Sequence, residues 1–366
     1  MDSTASPSIQ SQRTDVKLRT MRGAIAAVLL FTGCVTSDGP IGKRVDIGGR
    51  RLHIVCSGKG PRTVVMESGA AVGFYEWWLV QAALRNEMRT CSYDRAGYGW
   101  SDPPPERSVA GYTSDLHELL LRSGEKPPFI LVGHSMGGSF VQRYYWRHPS
   151  DVAGIIAVDA ANAEWSRPKS PELQAAVTAH RARRTREMEE WRASDQWPKQ
   201  EFPSELPRNL RARLVAASAS RNWWEARFGE GALPDYEQAM TTEQRRVHVP
   251  LVVIAAEWRK PPGWSDEAAE RFRRYWIEGQ EEIASRAPRS RMVRTTSGHD
   301  VPIEAPAVVV DEIRAMARQV WCAGVTSPAL RHRAAGAGRK AARPPRQTPR
   351  RSFRATRRTA TKSPAS

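Results

Sequence analysis

The segment Gly133-His134-Ser135-Met136-Gly137-Gly138 sets a serine between glycines two residues before it and two residues after it. A serine hydroxyl attacks an acyl carbonyl when a base takes its proton and when N–H groups receive the charge developing on the carbonyl oxygen. The nucleophile must stand on a sharp, strained turn, and glycine at both flanking positions removes side chains that would collide there. The base is most often histidine. Of eight histidines, His299 follows Gly298 in a loop late in the chain. His134 adjoins the serine, but neighbours on a tight turn point apart. His53 and His117 fall within a strand-like and a helix-like run, where a satisfied structural role is the better reading. His148, His180, His248 and His332 have no supporting motif.

Such a turn needs a strand before it and a helix after it. Phe129-Ile130-Leu131-Val132 is a continuous apolar run, as expected of a central strand buried on both faces. Met136–Arg147 has helical spacing, with Phe140, Val141, Tyr144 and Tyr145 on one side. Six further strand-like runs are Arg51–Val55, Thr63–Met66, Met88–Tyr93, Gly154–Val158, Leu251–Ala255 and Arg291–Thr295. Helical patterns at Trp77–Glu87, Val109–Arg122 and Ala307–Trp321 lie between or after them. This alternation predicts a mostly parallel sheet covered on both faces. From about Asn162 to His248 the alternation gives way to Arg-, Glu-, Ala- and Trp-rich sequence punctuated by Pro198, Pro203, Pro207 and Pro234, read as an inserted helical subdomain.

The net charge of +17 (56 Lys+Arg against 39 Asp+Glu) is unevenly spread. Residues 324–366 carry twelve Lys and Arg and no Asp or Glu, which leaves the body only mildly basic. That stretch has almost no large apolar residue after Leu330 and is expected to be a disordered basic tail. Polyanion binding through it is the alternative function of another class, although nucleic acid is an unlikely partner for an exported protein. With 366 residues and 40 % apolar content, wholesale disorder, collagen and a polytopic membrane protein are excluded. At the front, Lys17, Arg19 and Arg22 precede Ala24–Phe31 and then Thr32-Gly33-Cys34. The pattern resembles a bacterial lipoprotein signal, with Phe31 where Leu is usual. It makes residues 1–40 a signal or anchor segment, with membrane attachment through a lipid on Cys34 or cleavage without lipid. The expected location is exported, periplasmic or attached to the cell envelope, and cytoplasmic if the signal is not used. The four cysteines, Cys34, Cys56, Cys91 and Cys322, have no zinc-site spacing.

Three stretches beside the serine turn resemble the α/β-hydrolase superfamily: Val64-Val65-Met66-Glu67-Ser68-Gly69, Cys91-Ser92-Tyr93-Asp94-Arg95-Ala96-Gly97-Tyr98-Gly99-Trp100-Ser101-Asp102, and Ser297-Gly298-His299 with Pro302 and Pro306. The resemblance implies an α/β-hydrolase fold, a mostly parallel eight-stranded sheet flanked by helices with an inserted helical cap. The core would run over 41–161 and 249–323 and the cap over 162–248. It implies a serine hydrolase acting on a carboxylic ester or related small acyl substrate, without cofactor or metal. An acyltransferase, a peptidase or a C–C bond hydrolase on the same fold is the alternative. Serine at the turn argues against the relatives that use Asp there, the haloalkane dehalogenases and epoxide hydrolases.

By the same resemblance Ser135 is the nucleophile and His299 the base, while Met136 and Ala70 supply the oxyanion hole, with Ala71 close behind. The commoner acid position holds Arg259. Asp159, at the end of Gly154–Val158, is therefore the expected acid, with Glu257 the alternative and Asp266 a distant third. Asp94 and Arg95 are expected to form a structural pair beneath the histidine. The strand order usual to the fold sets Cys56 beside Cys91, as a disulfide if the protein is exported or as two buried thiols. Trp165, Trp191, Trp197, Trp223 and Trp224 in the cap either line an apolar pocket or pack the cap onto the sheet.

Overall fold

A computed structural model describes residues 39–162, 171–229, 233, 246–258 and 264–322. Residues 1–38 of the expected signal segment, with Cys34, and the expected basic tail, Trp165 and Arg259 lie outside the described residues. Eight strands form one sheet: β1 (Lys43–Asp46), β2 (Arg51–Ser57), β3 (Thr63–Glu67), β4 (Arg89–Tyr93), β5 (Phe129–His134), β6 (Val152–Val158), β7 (Leu251–Ala256) and β8 (Ser290–Thr295). Their order is β1-β2-β4-β3-β5-β6-β7-β8. The β1/β2 and β2/β4 pairs are antiparallel, and all others are parallel. β1 is the strand that apolar runs do not mark. Its sequence Lys-Arg-Val-Asp is largely exposed because it edges the sheet as half of a hairpin turning at Gly48 and Gly49, both at positive φ.

Alternate residues of the central strands face opposite layers. Val65, Leu131, Ile155 and Val253 pack under helices α2 (Val109–Ser123) and α3 (Met136–Arg147). Val64, Met66, Ile130, Val132, Ile156 and Ile254 pack under α1 (Trp78–Leu84) and a C-terminal helix, Pro306–Cys322. Between β6 and β7 the described residues form three helices, α4 (Pro171–Ser194), α5 (Arg208–Ser218) and α6 (Arg221–Gly229). Buried Trp223 and Trp224 join Met188, Leu210 and Leu214 against Phe74 and Tyr75, with Trp191 and Trp197 packed alongside. These four tryptophans thus serve packing between the insertion and the loop after β3.

After β7 comes α7 (Asp266–Ser285), a helix absent from the expected list. Ser265 caps it by accepting the Ala268 amide at 3.1 Å. The short α8 (Val301–Glu304) and α9 (Pro306–Cys322) follow β8. Cys56 and Cys91 are direct cross-strand partners on β2 and β4 and are joined as a disulfide.

Candidate active site

β5 ends at His134 and α3 begins at Met136, so Ser135 alone makes the turn, with φ 52° and ψ −123°. Sites of function commonly hold a residue at such a backbone angle, at a cost of about 1–3 kcal/mol. The surroundings explain why the flanking glycines are needed. A Cβ on Gly133 would lie 2.3 Å from the Gly137 carbonyl oxygen, and one on Gly137 would lie 2.4 Å from that of Glu67. The head of α3 therefore abuts the end of β3. The Ser135 amide donates to the Val158 carbonyl at 3.0 Å, and the Ser135 carbonyl accepts from Ala161 at 2.8 Å. The nucleophile turn is thereby tied to the end of β6.

That strand end carries Asp159, fully buried and at φ 42°. Its Oδ2 is 2.6 Å from His299 Nδ1, and His299 Nε2 is 2.9 Å from Ser135 Oγ. His299 sits in the loop after β8, its side chain about a quarter exposed (27 %). Three more donors converge on the Asp159 carboxylate. The Ala256 amide donates to Oδ1 at 2.9 Å, Trp276 Nε1 to Oδ1 at 2.6 Å, and Trp258 Nε1 to Oδ2 at 2.8 Å. Four donors on one carboxylate fix it in rotation. The same two indoles flank His299, at centroid distances of 4.6 Å (Trp258) and 5.6 Å (Trp276). Sequence reasoning missed both tryptophans. Trp276 lies on α7, and only an aromatic at a helical spacing facing the sheet could have signalled it.

The alternative acids stand elsewhere. Glu257 is exposed beyond the end of β7, and Asp266 is exposed at the first turn of α7. Ala70 is exposed in the turn after β3, Ala71 beside it has φ 63°, and Met136 is buried at the head of α3. Buried Arg95 fixes this turn from behind. Its guanidinium pairs with Glu67 at 2.7 Å and donates to the carbonyls of Ser68 at 2.7 Å and Gly69 at 2.5 Å. Tyr93 also donates to Glu67, and burial, with Glu67 adding to it, pushes the Tyr93 hydroxyl pKa well up. Asp94 has other business: it accepts from His53 Nδ1 at 2.7 Å and from the Phe74 amide at 3.0 Å. The expected Asp94–Arg95 unit beneath the histidine is thus two separate anchors, both serving the segment after β3.

Among the described residues, His117, His148 and Asp151 bring ligand atoms within 4.8 Å of one another. The two imidazoles stack with centroids 3.8 Å apart and planes at 3°. A metal in the plane of one ring would stand out of the plane of the other, so this arrangement does not hold an ion by both.

A sequence model described as the alpha/beta hydrolase family matches residues 64–312. The chain belongs to the alpha/beta hydrolase family. Among its relatives is a Bacillus subtilis protein, YbdG, named as uncharacterized, 32 % identical over 123 residues, which cover 32 % of this chain and 37 % of YbdG. A fluoroacetate dehalogenase of Burkholderia is 31 % identical over 121 residues, covering 31 % of this chain and 39 % of the dehalogenase. The chain thus spans well under half the length of these curated relatives. A thermophilic esterase from Thermogutta terrifontis shares the fold with a TM-score of 0.51 at 22 % identity, over 76 % of this chain and 98 % of the esterase.

Proposed function

We propose that this alpha/beta hydrolase is a serine hydrolase that cleaves a carboxylic ester, or a related small acyl substrate, through an acyl-enzyme. The observation that carries the reading is the continuous hydrogen-bonded chain from Asp159 through His299 to Ser135. In the first half-reaction Ser135 Oγ bonds to the substrate carbonyl carbon as its proton passes to His299 Nε2. The oxyanion is received by the amides of Met136 and Ala70. Collapse expels the alcohol, which takes the proton from His299. Water then repeats the sequence, with His299 as base, and releases the acid and free Ser135. Asp159 holds His299 in the tautomer that presents a bare Nε2 to the serine. Serine at the turn separates the chain from dehalogenation by an ester-forming carboxylate at that position. The reading needs no cofactor.

A fluorophosphonate probe followed by peptide mapping tests it. Labelling at Ser135 is expected, and Ser135→Ala is expected to keep the fold and lose turnover of a short p-nitrophenyl ester. Undiminished turnover in that variant refutes the assignment. Export with attachment at Cys34 is proposed from the charged and apolar run at 17–34, and a mature protein beginning at lipid-modified Cys34 is the expected mass. Polyanion binding by 324–366 predicts salt-sensitive binding lost on truncation.

A further inference from the structure

His134 and Glu76 lie directly behind Ser135 and His299, both buried, and the mechanism above does not use them. His134 Nε2 is 2.8 Å from the main-chain carbonyl oxygen of His299, and Nδ1 is 2.7 Å from Glu76 Oε1. A carbonyl oxygen only accepts, so Nε2 carries a proton, and the Nδ1–Oε1 contact needs a second. The other Glu76 oxygen accepts the Gly69 amide at 2.9 Å, which favours the ionised carboxylate and leaves that second proton on nitrogen. Burial opposes a charged imidazole, but the charge and hydrogen bond of Glu76, with smaller help from Asp159 and the His299 carbonyl, push the His134 pKa up to about 9.

The pair joins three segments that are distant in sequence: the loop after β3, the end of β5 and the loop after β8. A Cβ on Gly69 would lie 2.9 Å from His134 Nδ1 and 3.3 Å from Glu76 Oε1, so the Gly69 backbone rests against the pair. The His134 and His299 ring centroids are 4.7 Å apart. We propose that Glu76 and His134 are positioning residues: a buried imidazolium–carboxylate pair that holds the Gly69-Ala70 step and the main chain of His299 in one fixed relation to Ser135. This rests on the serine-hydrolase reading. A neutral imidazole could not serve both acceptors and would release either the Glu76 position or the His299 carbonyl. Reacting groups then drift from the attack geometry, which lowers turnover more than it weakens ground-state binding.

The test compares Glu76→Gln, His134→Gln and the double variant, with ring ¹H–¹⁵N spectra of histidine-labelled protein. Each single variant is expected to lower kcat on a p-nitrophenyl ester roughly tenfold or more with KM held within about twofold. The double variant should be no slower than the slower single. Wild-type spectra near neutral pH should show both ring N–H protons of His134. Unchanged kcat in folded variants, additive losses in the double, or a single ring proton on wild-type His134 overturns the proposal. The spectrum is read on the unaltered protein, so it decides even if a variant does not fold. A wild-type protein that takes no fluorophosphonate at Ser135 would count against the hydrolase reading, while the His134 protons would still be read independently of it.

Discussion

Trp276→Phe removes one of four donors from a carboxylate that no water reaches. Asp159 is fully buried and Trp276 is 3 % exposed, and their hydrogen bond is 2.6 Å long. A hydrogen bond to a charged group contributes about 1.5–3 kcal/mol net, and leaving a buried carboxylate oxygen short of a partner falls in the upper half of that range. Phe keeps an aromatic ring beside Phe272 and Trp258, which limits the added cavity cost. The expected destabilisation is about 2–3 kcal/mol, or roughly 3–5 °C in Tm for a protein of this size. Trp258→Phe removes the partner bond on the other oxygen, but Trp258 is only half-buried and water can replace its N–H. That change should cost about 1 kcal/mol. Thermal and denaturant unfolding of both variants gives the comparison, with p-nitrophenyl ester turnover followed in parallel. If Trp258→Phe destabilises as much as Trp276→Phe, or if neither shifts Tm, the account of Asp159 as a carboxylate held chiefly by the buried Trp276 indole is refuted.

Asp159→Asn should lower kcat by on the order of 10³–10⁴, because the amide stabilises the wrong imidazole tautomer. Glu257→Ala should leave turnover unchanged, and a large loss there would move the acid role to Glu257. Reducing the Cys56–Cys91 disulfide, which closes a sequence separation of 35, should cost about 4 kcal/mol of stability and add two hydrogens to the mass. Free thiols in purified, unreduced protein would refute the pairing. His134 has a folded pKa raised from 6.5 to about 9, so its contribution is complete below pH 6.5 and is lost as pH rises towards 9. Unfolding free energy measured across that window should fall in the wild type and fall less in Glu76→Gln.

The sequence marked the parts of this fold that repeat a pattern. The seven strand-like runs coincide with strands to within a few residues, and the central ones, β3 and β5 to β7, are apolar because both of their faces are covered. β1 escaped because an exposed edge strand has no such requirement. The serine turn could be read because the spacing of its glycines about Ser135 is local, although the backbone that Gly137 must clear belongs to Glu67 and Ser68. Helix α7 and its Trp276 could not be read this way. The indole matters through a contact 117 residues away in the chain, and nothing local distinguishes it from a core aromatic. Glu76 was hidden for the same reason: its partner His134 is 58 residues on, and its meaning lies in the two acceptors that the histidine faces. Arg95 was noticed, but its pairing with Glu67 rather than with its neighbour follows from strand order, which the segment itself does not encode.

The pairing of β6 with β7 has a consequence for how such a protein can change. Ile155 and Leu251 are adjacent across the sheet, although the whole helical insertion lies between them in the chain. The detour leaves from the C-terminal end of β6 and returns to the start of the neighbouring parallel strand, β7. Asp159 stands at its exit, and Ala256, whose amide holds that carboxylate, follows its return by one strand. Exchanging one inserted segment for another of different length changes the loop-closure cost only slowly. A recombination or duplication confined to that detour could therefore replace the inserted segment while inheriting the Ser135–His299–Asp159 geometry intact. The architecture separates the residues that align Ser135, His299 and Asp159 from the inserted segment, and makes the second the easier to exchange.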